Sequence, residues 1–145
     1  MKFPAVLLFA SIFMCAHAAH AADSPPVPFT GLDISGVYAC TGTDAHDGKF
    51  AYVMTVTLDR RYSHGNFGAF KAQMAGEHER YTGSIVSNGE QMALDFANGD
   101  ASKKDFGVAL GTISRLPNGQ YKLAKFYYEA QYLGGSNGFE ACTLK

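Results

Sequence analysis

Tyr127-Tyr128-Glu129-Ala130-Gln131-Tyr132-Leu133-Gly134-Gly135-Ser136-Asn137-Gly138-Phe139-Glu140-Ala141-Cys142 runs from paired tyrosines through two glycines to a cysteine. Its counterpart near the start is Gly36-Val37-Tyr38-Ala39-Cys40. If Cys142 pairs with Cys40, the first and last strands are stapled, and the chain between them must run out and come back, which describes a closed β-meander. The loop closed in this way is roughly 100 residues, for which chain entropy sets a ceiling of roughly 4.7 kcal/mol of stabilisation. The alternative, two free thiols serving catalysis or a metal, has no Cys-x-x-Cys spacing and no nearby histidine behind it.

Between these ends the chain repeats short segments rich in Val, Tyr, Phe and Thr that alternate with period two, separated by Gly, Asn and Asp clusters. No stretch holds a helical period for three turns. The spacing predicts strands over 36–41, 49–58, 68–74, 81–86, 90–96, 106–115, 120–129 and 139–144. The second is the clearest, with Phe50, Tyr52, Met54, Val56 and Leu58 on one face and Ala51, Val53, Thr55 and Thr57 on the other. Asn88-Gly89 predicts a type I′ hairpin, because both residues tolerate positive φ. Sequential strands with short connections become neighbours, so the expected fold is all-β, an eight-stranded antiparallel up-and-down β-barrel; a β-sandwich carries the same sequence pattern and is the alternative.

The same alternation assigns faces. Phe70, Ala72 and Met74, then Met92, Leu94 and Phe96, then Phe106, Val108 and Leu110 are expected to join the interior face, filling it and leaving no large open cavity. Gly107, Ala109 and Gly111 then form a flat outer strip, suited either to a partner or to relieving barrel curvature.

At 145 residues and 47% hydrophobic, the chain has material for one domain. Lys2, the apolar run from Ala5 to Met14 and the small residues from Ala16 to Ala22 read as a signal peptide over 1–22, which predicts a periplasmic or secreted protein. A membrane anchor needs a longer run, and a lipoprotein needs a small residue where Met14 precedes Cys15. Residues 23–33, with Pro25, Pro26 and Pro28, read as an extended, poorly packing tether, and 34–145 as the barrel domain. Of three cysteines, Cys15 leaves with the signal peptide, so Cys40 and Cys142 remain as a pair for an oxidising compartment. The formal net charge is −1, and loss of Lys2 makes it more negative, so neither nucleic acid nor stable membrane insertion is expected.

No catalytic or cofactor signature assembles. His46, His64 and His78 fall in predicted loops without metal-ligand spacing, so no metal and no cofactor is expected. Glu129 and Glu140 flank the glycine-rich segment as possible paired carboxylates, but a hydrolase needs a cleft to separate their acid and base roles. The closing segment is the best site: Tyr127, Tyr128, Gln131, Tyr132, Asn137 and Glu140 combine flat aromatic bodies with hydrogen-bonding tips, the mixture of binding surfaces. Equally, these tyrosines would serve to cap a barrel end.

Ile34-Ser35-Gly36-Val37-Tyr38, Gly107-Val108-Ala109-Leu110-Gly111-Thr112 and Gln131-Tyr132-Leu133-Gly134-Gly135 resemble the Gly-x-Trp-Tyr, Ala-Leu-Gly and Gln-Tyr-x-Gly-Gly stretches of the avidin family, and more broadly the calycin-type barrels that include lipocalins. That resemblance implies the barrel. It does not carry over the biotin site, which stacks its ligand on tryptophans, because this chain has none. Tyr38-Ala39-Cys40 with Ala141-Cys142-Thr143-Leu144 also resembles the frame of periplasmic lysozyme inhibitors, although the Ser-Gly-x-x-Tyr stretch by which those proteins engage the enzyme has no counterpart. The expected function is non-enzymatic binding of a protein or glycan at one barrel end. The alternatives are a lipocalin-like carrier of a small apolar ligand and an inhibitor of a cell-wall hydrolase.

Overall fold

A computed structural model describes residues 27–145, so the signal-peptide reading and the first residues of the tether lie outside the described residues. Eight strands follow in chain order: β1 (Gly36–Asp44), β2 (Gly48–Leu58), β3 (Phe67–Ala75), β4 (Arg80–Asn88), β5 (Gln91–Asn98), β6 (Phe106–Arg115), β7 (Tyr121–Glu129) and β8 (Ser136–Leu144). Each pairs antiparallel with the next, and β8 returns to β1, closing an up-and-down barrel rather than a sandwich. The closing ladder sets Cys40 opposite Cys142, and the two sulfurs are bonded.

β1 and β8 run further than their hydrophobic pattern indicates. Gly42, Thr43 and Asp44 read as loop, yet each has a backbone partner on both β2 and β8, which draws Gly138 into β8 as well. The β4–β5 turn also differs from expectation. Asn88 pairs with Gln91, so the turn residues are Gly89 and Glu90, and only Gly89 has positive φ (58°), which excludes type I′. That register is the one that keeps Ile85 and Ser87 of β4 and Met92 and Leu94 of β5 together inside the barrel.

The faces of β2, β3 and β5 are as expected, but β6 is inverted. Gly107 and Ala109 are buried inside, while Phe106, Val108 and Leu110 are exposed on the outer wall beside Phe126, Tyr128 and Phe139. Volume explains the inversion. A small barrel cannot take a bulky side chain from every strand at each level, so large interior residues sit across from glycine. Phe50 is the cross-strand partner of Gly42, Phe96 of Gly107, Lys125 of Gly111 and Tyr127 of Gly138. In all four pairs a Cβ on the glycine would collide with the large side chain opposite.

One half of the interior is solid. Ile34, Tyr38, Phe70, Ile85, Ile113 and Leu123 are buried there, and the Tyr38 hydroxyl donates to the Ile34 carbonyl at 2.8 Å. The segment read as a poorly packing tether helps to close this end. Phe29 bridges to Gly65 and packs edge-on against Phe70 with ring centroids 6.4 Å apart. The other half is open, contrary to the expectation of a filled barrel.

Candidate functional site

The connections β1–β2, β3–β4, β5–β6 and β7–β8 gather at the open end of the barrel. Below them lies a cavity of about 300 Å³. Its wall is a run of aromatic rings in contact: Tyr81 with Phe96 at 6.2 Å, Phe96 with Tyr127 at 5.8 Å, Tyr127 with Phe50 at 6.2 Å and Phe50 with Tyr52 at 6.1 Å between centroids. Met74 and Leu94 complete the apolar lining. At the rim, Tyr132 donates to Asp47 Oδ2 at 3.0 Å and His46 Nε2 lies 3.1 Å from the Gly135 carbonyl, which ties the β7–β8 connection to the β1–β2 turn. Gly134 and Gly135 make that connection tight, with φ of 84° and 115°.

Acid concentrates in this cavity. Of the chain's 13 Asp and Glu residues, Asp44, Asp47, Glu77, Glu79, Asp105, Glu129 and Glu140 all line it, whereas no Lys or Arg does. Four tyrosine hydroxyls are committed to these carboxylates: Tyr52 to both Glu140 oxygens at 2.8 Å, Tyr81 to Glu79 at 2.5 Å and Asp105 at 2.6 Å, Tyr127 to Asp44 at 2.7 Å, and Tyr132 to Asp47. Burial first, then for all but Tyr52 the carboxylate each one faces, pushes these phenols upward, Tyr132 to about 12. Burial opposes ionisation of Asp44, but bonds from Tyr127, the His46 amide, Ser136 and the Asp47 amide outweigh it and hold the carboxyl below its ordinary range.

Beneath the cavity, Glu140 of its lining belongs to a buried ion pair. Lys125 and Glu140 bond directly, Lys125 Nζ lies 3.3 Å from the Tyr52 hydroxyl and 3.6 Å from Cys142 Sγ, and burial pushes the Lys125 ammonium down to about 7. At the side wall, Asp105 Oδ2 accepts from Tyr81 and from Asn98 Nδ2 at 3.0 Å, while a protonated Glu129 is the one donor left for Oδ1 among the described residues. Glu129 faces Asp105. Burial, then the Asp105 charge and a hydrogen bond between the two side chains, raise the Glu129 carboxyl to about 8. At neutral pH Glu129 therefore keeps its proton.

The six residues singled out in the closing segment do not form one patch. Tyr127 and Glu140 are buried in the cavity, and Tyr132 stands at its rim. Tyr128 and Asn137 point to the outer wall, and Gln131 is exposed in the connection. The period of two accounts for the division, since Tyr127 and Tyr128 are consecutive on one strand. Sequence reasoning missed Asp44, Tyr52, Tyr81, Phe96, Asp105 and Lys125 as site residues. Asp105 was hidden with β6: it shares a face with Gly107, which the alternation assigns to the outer strip and which the structure turns inward.

Among the described residues no group of three or more His, Cys, Asp and Glu side chains is arranged to hold a metal ion. No known protein family and no curated protein matches the chain. Among solved structures the chain is similar to a redesigned β-barrel, at 14% sequence identity and a TM-score of 0.50, over 77% of this chain and 91% of that one. This likeness extends to the fold alone.

Proposed function

We propose that this protein is a non-enzymatic binding barrel that takes a small, ring-sized molecule into its open half. The observation that carries the reading is the contrast between the two halves, one packed solid and the other holding a cavity of about 300 Å³ walled by five aromatic rings in contact. That volume is at the small end for ligand sites, which run from roughly 300 to 1,000 Å³, and it suits a molecule of one or two rings better than a long acyl chain. The division of the closing segment between cavity and outer wall supports an internal ligand over a protein or glycan docked across the rim. Catalysis by Glu129 and Glu140 is disfavoured because Lys125 and Tyr52 already occupy the Glu140 carboxylate.

Kinship with calycin-type carriers and export from the cytoplasm belong to the same proposal. The up-and-down closure with a ligand-sized space at one end supports the first, and the disulfide supports the second, because such bonds persist in oxidising compartments. The test is methyl NMR of methionine-labelled protein titrated with 2-phenylethanol. Met74 lines the cavity and is expected to shift saturably, whereas Met92 does not line it and is expected to stay still. No shift at Met74 at millimolar ligand would remove the proposal.

A further inference from the structure

We propose that the Asp105–Glu129 carboxyl pair is the recognition point for the cationic nitrogen of a small arylalkylamine whose ring lies among the cavity aromatics, an inference that rests on the cavity reading above. Asp105 is 4% exposed and borders the cavity, and apart from the proton on Glu129 its Oδ1 has no donor among the described residues. Once Glu129 gives up that proton the buried oxygen is left without a donor, which costs stability unless a ligand replaces it. Glu129, 7% exposed, faces the same space. An ammonium brings three N–H donors, enough for both carboxylates at once. The walls suit the rest of the molecule, since the rings of Tyr81, Phe96 and Tyr127 line the same space and aromatic rings attract both a cation and an aryl group.

Proton and charge balance decide whether a buried site can accept such a guest. Burial and the neighbouring Asp105 charge keep the Glu129 carboxyl protonated at neutral pH, so this point of the empty cavity carries one negative charge. When the ammonium enters, the Glu129 O–H bond breaks and its proton leaves to solvent. Two carboxylates and one ammonium then carry the same net charge, and no covalent bond to the ligand forms. The other ionisable groups lining the cavity are carboxyls (Asp44, Asp47, Glu77, Glu79, Glu140) and tyrosines, with His78, exposed at the rim, the one side chain able to carry a positive charge. The nearby cations are already engaged, Lys103 by Glu79 at 2.6 Å and Lys125 by Glu140. A metal ion suits the place poorly, because aromatic carbons form the remaining wall.

The experiment is calorimetric titration of the oxidised protein with phenethylamine and with its neutral counterpart 2-phenylethanol. Measurements at pH 7 in phosphate and in ACES, whose ionisation enthalpies differ, count the protons released. The expected result is that the amine releases close to one proton and the alcohol none. With Glu129 titrating at about 8, the competent fraction rises between pH 6 and pH 8, so the amine is expected to bind roughly 50-fold more tightly at pH 8 while the alcohol is unchanged. Glu129→Gln is expected to abolish both the release and the pH dependence for the amine, leaving alcohol binding intact. Amine binding without proton release, or no tighter at pH 8 than that of the alcohol, would overturn the carboxyl-pair assignment and leave the cavity reading standing. Binding of neither compound would overturn both.

Discussion

Tyr127 lies directly across from Gly138 in the β7–β8 ladder, and its ring fills the space a Gly138 side chain would take. The cavity wall is therefore built from pairs, a ring on one strand and nothing on the next. Gly138→Ala is expected to push Tyr127 off Asp44, destabilise the fold by about 1–3 kcal/mol as overpacking does, and weaken ligand binding. Gly76→Ala, where an added Cβ meets only the Glu79 carbonyl at 3.7 Å, is the control expected to stay within about 0.5 kcal/mol. Urea unfolding of both variants checks the contrast; equal effects would refute the pairing argument.

The Lys125–Glu140 pair predicts strong non-additivity. Its two side chains are 1% and 6% exposed, so removing either partner leaves an uncompensated buried group. Lys125→Met or Glu140→Leu alone is expected to cost about 3–5 kcal/mol, whereas the double variant costs far less than the sum because no charge is left buried. A double-mutant cycle in urea measures this, and additive costs would show that the two groups do not depend on each other.

Glu129 makes stability depend on pH in a definite direction. Folded, it holds its proton up to about pH 8; unfolded, it releases it near 4.5. Between these values the native state binds more protons, so its contribution is complete at low pH and declines as pH rises, with a slope of up to about 1.4 kcal/mol per pH unit. Glu129→Gln is expected to flatten that decline and to stabilise the protein at pH 8 relative to the parent. Thermal melts of parent and variant across pH 5–7, below the range where Lys125 contributes the opposite slope, read it out, and a variant that declines as steeply as the parent would contradict the assignment.

How far the molecule could be read in advance depended on where its bulky residues were. β2, β3 and β5 were legible because their apolar side chains face inward, as in Phe50-x-Tyr52-x-Met54. β6 was not, because hydropathy alone points Phe106, Val108 and Leu110 inside, whereas Phe96, Lys125 and Glu129 from the neighbouring strands already occupy the space over Gly107 and Gly111. That crowding is a tertiary property, invisible within any one strand. The site was obscured for the same reason. Lys125 and Glu129 share a face with Leu123 and Tyr127 while Phe126 and Tyr128 face out, so polarity and burial run opposite to habit on β7. The pairing of Cys40 with Cys142 was legible because it needs only a count and a topology.

The Cys40–Cys142 bond and the ion pair beside it lie beneath the aromatic wall, at the boundary between the solid and hollow halves of the barrel. What decides whether the chain folds is thus kept on one side of a partition, and what decides what it accommodates on the other. Rim positions such as Asp47, Glu77 and His78 border the cavity and take no part in the buried packing. On the binding proposal, substitutions there are expected to alter what the cavity accepts while leaving the fold intact. A lineage built on this plan is free to diversify in chemistry at its rim while remaining, strand for strand, the same vessel.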